Sequence, residues 1–539
     1  MLQKLILREF IIFFLIANVC IFLSNIPLII QHSRAPAGTK FPLYHSDHPY
    51  DYNVYLSAIT QGANGSLLMK DVFTSEETSP TTFYIFYIYL GKIAKLFNLT
   101  PQLAYHLGRI IAAQFLFIAL YFFNLKLLGN KLGFWASLFA ISLTIAPKFI
   151  YSENEAFISY FPWWGNLEAL KRVDQMPHYL SGYSLLLISL GLFLAFIQTF
   201  KLNYLLGTIF STFIGGIIFP PSLLPIIICL PISYLISIII KTVTSKKFII
   251  NKRHLIGFST IVFFACLSLL IIWHENQNGL PWNMWNKWEI SMWNIKVTTF
   301  NRALLYSFAT SYIFVTPALL YIFKSREWKY IFVALWAFLP FILLPAINYI
   351  GISKYRLVSS APFVPIGSLF ALTLFQVVKK NTLRNFLIII SLIYSLAVTF
   401  DYWRINVNQA QTEPLYTNIY ITDSKWKAIE FIKNNLPKNS VILSDEYMGN
   451  IMPAYAPVIS YFGHPVHTLD FFGKQKLVGH FFRGSMTDTE AKQFIAQNKI
   501  QYIYFGDNER NLGGETLSYT FLKKIYENPD VVIYQIENS

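Results

Sequence analysis

Apolar runs of roughly 16–24 residues recur along the first 400 positions of this chain, and that recurrence narrows its folds to one class. Each run is close to the ~20 residues a helix needs to cross ~30 Å of hydrocarbon. The runs are too long and continuous for barrel strands, and lipid leaves the backbone no other way to satisfy its hydrogen bonds. Only 13% of the 539 residues are charged, where a soluble protein carries about 25%. The spans are expected near 9–30, 102–125, 133–148, 179–200, 203–219, 222–241, 255–273, 302–323, 330–346, 359–378 and 385–400. The expected fold class is a polytopic α-helical membrane protein of about 11 transmembrane helices with a C-terminal soluble α/β domain.

Basic residues set the orientation. With the N-terminus in the cytoplasm, Lys4 and Arg8 lie inside, as do Lys126 and Lys131, Lys201, Lys246 to Arg253, Lys324 to Lys329, and Lys379 to Arg384. An odd number of spans then puts the C-terminus outside. The apolar stretch 81–99 contains Lys92 and Lys95. Counted as a span it would invert every later loop, so it is expected to lie partly in the outer leaflet. The transmembrane domain thus covers 1–400, with outer loops 31–100, 148–178, 274–300 and 347–358, and 401–539 forms an extracytoplasmic domain.

The net charge of +15 comes from the membrane part. Residues 401–539 hold 13 Lys and Arg against 15 Asp and Glu, a balance of −2, which leaves +17 in 1–400. Much of that excess sits in inner loops facing anionic lipid headgroups. No basic, aromatic-interleaved soluble face points to nucleic acid. Cys20, Cys229 and Cys266 all fall in apolar spans, so no disulfide framework supports the tail.

From Ser424 the pattern changes. SKWKAIEFIKNNL reads as a helix capped by Asp423 or Ser424, SVILSD as a strand, and Thr487 with Glu490 as a capping box. IQYIYFG and VVIYQI read as strands and SYTFLKKIYEN as a helix, the alternation of a small layer with parallel strands. No Gly-rich phosphate loop follows a strand. The segment PWNMWNKWEISMW (281–293) has the indoles of an interfacial helix, with an aromatic acceptor platform as the sharper reading.

Chemistry is expected where acids meet the bilayer edge. HSDHPYDYNVYLSAITQG (45–62) follows the first span and places Asp47 and Asp51 at the mouth of the bundle. A water-facing acid there can deprotonate an acceptor hydroxyl or amine. Glu153 and Glu155 (SENEAF) offer hard oxygen ligands to a divalent cation such as Mg or Mn. Lys354 and Arg356 (GISKYRLVSSAP) crowd cations at a span entrance, the clamp that a lipid-linked phosphate needs. His178 and Arg109, each at the outer end of a span, are weaker members of the same set.

These parts together resemble the polytopic glycosyltransferases of the GT-C superfamily, particularly bacterial members related to the mannosyl- and arabinosyltransferases. The resemblance is carried by Asp51 in DYNVYLSAITQG, the stretch 81–99, the basic loop at Arg356, and the tail segments GNIMPAY (449–455) and GHPVHTLDFFGK (463–474). It implies an inverting transfer from a polyprenyl-phosphate-linked sugar donor to a glycan, lipid or protein acceptor outside a bacterial inner membrane. It also implies Asp51 as general base and Arg356 on the phosphate. The family's acid is often followed by a second acid. Here Tyr52 follows Asp51, which leaves the choice between Asp47 and Asp51 open. Two other classes compete: a flippase of lipid-linked glycans, disfavoured by span interiors almost without charge, and a non-catalytic scaffold with an outer binding domain.

Overall fold

The computed structural model describes residues 2–45, 49–143, 168–245, 252–293, 313–343, 353, 356–357, 359–409 and 419–537. The chain divides into two compact units. A helical unit comprises Met1–Ile26, Arg109–His274 and Asn286–Trp403. A sheet unit comprises Pro27–Gly108, Glu275–Trp285 and Arg404–Ser539.

Six helices among the described residues are long and apolar enough to cross a membrane: Ile6–Ser33, Pro101–Leu128, Pro177–Thr199, Pro220–Thr244, Lys252–Glu275 and Asn381–Phe400. Leu202–Ile218, Ile313–Ser325, Trp328–Ile342 and Phe363–Val377 are shorter apolar helices. Outward-facing leucines, isoleucines and phenylalanines, such as Leu15, Phe115, Phe210, Phe263 and Ile393, remain exposed, as lipid-facing positions do. Between helices of the helical unit, small polar groups bond to one another. Asn124 donates to Ser137 at 3.1 Å, and Ser368 donates to Asn124 at 3.2 Å, all three buried.

In the sheet unit, α1 (Pro49–Ala63) and α2 (Ile85–Leu96) cross closely. A Cβ at Gly62 would strike the Ile88 carbonyl, and one at Gly91 the Ile59 carbonyl, so only glycine permits this approach. The stretch 81–99 therefore forms a 12-residue helix packed on α1, with Tyr89, Ile93, Leu96 and Phe97 exposed. Trp282 is fully buried in the same unit and donates its indole N–H to Ser79 O at 2.8 Å, so this indole is a core side chain.

Strands β1 (Thr39–Lys40) and β2 (Ile421–Thr422) pair antiparallel and tie the first long loop to the tail. Then follow α3 (Asp423–Asn435), β3 (Val441–Leu443), α4 (Glu446–Tyr455), β4 (Ile459–Ser460), α5 (Phe471–Phe482), α6 (Asp488–Gln497), β5 (Tyr502–Phe505), α7 (Asp507–Gly513), β6 (Leu522–Glu527) and β7 (Val532–Ile536). The sheet order is β4-β3-β5-β7-β6, with β3 parallel to both neighbours and β7 antiparallel to both of its own. Leu443, Phe481, Phe482, Ile503 and Phe505 form its core. The segment SYTFLKKIYEN is not the expected helix. Its Leu522–Glu527 portion pairs with β7 as an edge strand, bulged between Lys524 and Tyr526, so cross-strand pairing overrides its helical spacing. The cap of α3 is Thr422, one residue before the expected pair, because its hydroxyl accepts from Lys425 N.

Candidate functional site

Asp51 lies in the first turn of α1, where the helix N-terminus favours a carboxylate, and its side chain is 45% exposed. The neighbours of Asp51 come from the far end of the sequence. The side chain of Asn53 donates to Asn450 at 2.8 Å and Thr60 donates to Ala454 O at 2.6 Å, which lays α1 along α4. In turn, α4 carries the loop 461–464 at backbone contact. A Cβ on Gly449 would collide with the Phe462 carbonyl, and one on Gly463 with the Gly449 carbonyl. The two tail segments singled out in the sequence, GNIMPAY and GHPVHTLDFFGK, thus meet glycine to glycine.

That crossing delivers His464. Thr468 Oγ1 accepts the amides of Gly463 and His464 at 3.1 and 3.0 Å and donates to Phe73 O at 2.7 Å, which fixes the loop. The His464 ring is buried. Its Nδ1 accepts from the backbone N–H of Val466 at 3.1 Å and of His467 at 3.3 Å. The proton of the neutral ring is therefore on Nε2, which stands 3.4 Å from Asp51 Oδ1. Burial pushes His464 below the ordinary imidazole range, with His467 adding to the effect and Asp51 opposing it.

Behind His464 sits a second pair. The rings of His464 and His467 are 4.6 Å apart, and His467 Nδ1 bonds to Asp71 Oδ2 at 2.7 Å. Asp71 is buried and also accepts Phe73 N at 2.9 Å. Trp285 stands edge-on to His467 at 4.8 Å. On the other side, Tyr50 meets His464 edge-on at 5.8 Å and hydrogen-bonds to Glu446, in the first turn of α4. Burial raises the Glu446 carboxyl to about 7. The arrangement offers a half-exposed acid backed by a fixed imidazole donor, flanked by a second carboxyl that titrates near neutrality.

The other expected residues are placed as follows. In the helical unit, Arg356 forks onto Glu289, with Nε at 2.9 and 3.1 Å from the two carboxylate oxygens and Nη2 at 3.0 Å. Arg109 is buried and bonds to Asp174 and Asn25. His178, near the start of the helix Pro177–Thr199, stands edge-on to Tyr179 at 4.6 Å and to Phe219 at 5.9 Å. Asp47, Glu153, Glu155 and Lys354 lie outside the described residues. Among the described residues, no three His, Cys, Asp or Glu side chains are grouped to hold a metal ion.

His464, His467, Asp71 and Glu446 were not singled out from the sequence. The signal within reach was the pair of histidines in GHPVHT, two of the protein's ten, in a tail segment already singled out for its family resemblance.

No family model and no curated protein sequence matches the chain. Solved structures do. ArnT from Cupriavidus metallidurans bound to undecaprenyl phosphate is similar over 97% of this chain and 97% of its own, with a TM-score of 0.50 and 10% identity. The Archaeoglobus fulgidus oligosaccharyltransferase is similar over 91% of this chain and 68% of its own, with a TM-score of 0.47 and 14% identity. The arabinofuranosyltransferase AftD from Mycobacteria is similar over 97% of this chain and 42% of its own, with a TM-score of 0.47 and 12% identity. All three are polytopic membrane glycosyltransferases of the GT-C superfamily. Along nearly its whole length the chain shares the fold of ArnT.

Proposed function

We propose that this protein is an inverting glycosyltransferase that moves a sugar from a polyprenyl-phosphate donor to an acceptor hydroxyl or amine outside the membrane. The observation that carries this reading is Asp51, a half-exposed acid at a helix N-terminus with a buried imidazole donor behind it, in a chain with the GT-C fold. ArnT, a structural relative of matching length, is bound to undecaprenyl phosphate, the kind of carrier lipid that the proposed donor would release.

In the proposed reaction an Asp51 carboxylate oxygen takes the acceptor's O–H proton as the oxygen attacks the anomeric carbon. The bond from that carbon to the phosphate oxygen breaks, and polyprenyl phosphate leaves with the electron pair. Attack opposite the leaving group inverts the centre. Asp47 is the alternative base in the same segment. The Arg356 fork already grips a carboxylate, and the same fork geometry takes phosphate. Lys354, His178 and Arg109 are the further cations of this set. On this reading the ten apolar helices described, together with Asn130–Ser142, are eleven spans with the N-terminus inside. Residues 401–539 are then outside. Phosphate is a good leaving group, so a base, a cation and fixed positioning supply the catalysis.

The test is mass spectrometry of lipids that co-purify with the native protein and with Arg356→Ala. A polyprenyl-phosphate sugar in the first and its depletion in the second is the expected result. Ordinary phospholipids alone in both would count against this donor class.

A further inference from the structure

The loop that brings His464 to Asp51 belongs to the tail, and its hydrogen bonds leave the ring a single role. Both backbone amides that reach the ring, from Val466 and His467, point at Nδ1. A proton there would face two donors, so the ring stays neutral with its Nε2–H 3.4 Å from Asp51 Oδ1, within ion-pair range although short of a formed hydrogen bond. The ring cannot swing away. Thr468 holds its backbone, the Gly449–Gly463 crossing holds the loop, and the His467–Asp71 pair packs against its face. A buried donor with its orientation fixed by the backbone, next to a half-exposed acid, is an arrangement for holding that acid ionised and aimed.

We infer that His464 is a positioning residue for Asp51: its Nε2–H fixes the carboxylate in its ionised form, so the tail 404–539 completes the catalytic centre rather than serving only as a binding module. This rests on the reading of Asp51 as the base. His464 takes no proton in the reaction; the carboxylate does.

The test needs neither donor nor acceptor. Carbodiimides add to protonated carboxyls, so the labelling of Asp51, read by peptide mass spectrometry on the full-length protein from pH 3 to 7, reports its ionisation. The same map resolves Asp51 from Asp71 and Glu446, acids of the cluster among the described residues, where Tyr50 and His467 are further titratable neighbours. In His464→Asn the amide oxygen can replace Nδ1 as acceptor for the two backbone N–H groups, but residue 464 no longer presents a donor towards Asp51. Its labelling midpoint is expected to rise by about one pH unit, which is about tenfold faster labelling on the alkaline side. His464→Met is expected to do the same. In His464→Gln an amide N–H can reach Asp51 again, and the midpoint is expected to return to within a few tenths of a unit of the native one.

An unmoved midpoint in folded His464→Asn and His464→Met overturns the inference, as does a Gln variant that labels like the Asn variant. Loss of the fold in both Asn and Met variants would make His464 a structural strut and overturn it equally. Failure here leaves the transferase reading standing. Full transfer by Asp51→Asn, by contrast, removes Asp51 as base while the coupling between the two side chains survives.

Discussion

Two acids of the sheet unit sit at helix starts, and their surroundings separate the proposed base from a strut. Asp51 is half exposed, and its Oδ1 faces an imidazole. Glu509, in the first turn of α7, is fully buried, and both its oxygens are committed to backbone amides: Asp445 N at 2.7 Å and Gly506 N at 2.8 Å. Burial first, and the charge of Asp445 second, push the Glu509 carboxyl well above the ordinary range. Asp445 itself caps α4 through the amides of Tyr447 and Met448 and accepts Asn508 Nδ2 at 2.6 Å. So Glu509 joins the start of α4 to the start of α7, sealed from any substrate. Composition and helix position are alike at the two sites. What differs is whether the acid retains exposed surface for a reacting group.

The comparison predicts opposite phenotypes, and these are the largest effects expected. Asp51→Asn should lower transfer by about a thousandfold, within the range of general base removal, while the thermal midpoint stays within a few degrees. Glu509→Ala should do the reverse. It leaves two buried amides unsatisfied, a cost of about 3 kcal/mol, while the molecules that remain folded turn over at the native rate. Turnover per folded molecule, with the folded fraction read by thermal melting, separates the two. A Glu509→Ala protein that is stable but inactive would erase the distinction.

The next effect concerns the crossing that supports the Asp51 side of the comparison. Gly449→Ala places a methyl group against the Phe462 carbonyl, where backbone rather than a flexible side chain must yield. A loss of about 1–3 kcal/mol is expected from such overpacking, and His464 should move away from Asp51 as the loop shifts. Asp51 labelling in this variant should therefore follow that of His464→Asn. Native labelling together with a destabilised fold would show that the crossing supports only the fold.

The uneven legibility of this site in the sequence has a physical cause. Asp51 could be read because an acid directly after an apolar span is costly anywhere, and local context flags it. The spans could be read because lipid imposes their length. The tail's N-cap region and its Thr487–Glu490 capping box were also local, and the box is present as expected. The partners of Asp51 had no such signal. His467 and Asp71 are 396 positions apart, and no spacing rule connects them. The glycines at 449 and 463 serve a backbone crossing that exists only in the folded unit. The edge strand β6 was misread for the same reason: its partner, β7, overrode its own propensity.

The smallest expected effect tests the second carboxyl at the candidate site and depends on pH. Burial raises Glu446 from the ordinary glutamate range to about 7, against a hydrogen bond with Tyr50 that lowers it. The folded protein thus binds this proton more tightly than the unfolded chain does. Its contribution is fully present below about pH 4.5 and is lost as pH rises through about 7. Glu446→Gln keeps a neutral side chain at every pH. The variant's thermal midpoint relative to the native protein should therefore be level at pH 4.5, climb between pH 5 and 7, and plateau above. Because Glu446 is only partly buried, water screens much of this, and the gain should stay below about 1 kcal/mol. His464 acts in the opposite direction, since its depressed pKa favours the fold at higher pH and that contribution is lost on acidification. Subtracting the native curve from the Glu446→Gln curve removes that term and leaves the carboxyl alone. A difference curve that falls with pH would mean that Glu446 is held ionised in the fold. The Asp51 site would then contain two committed carboxylates and would differ from Glu509 only in exposure.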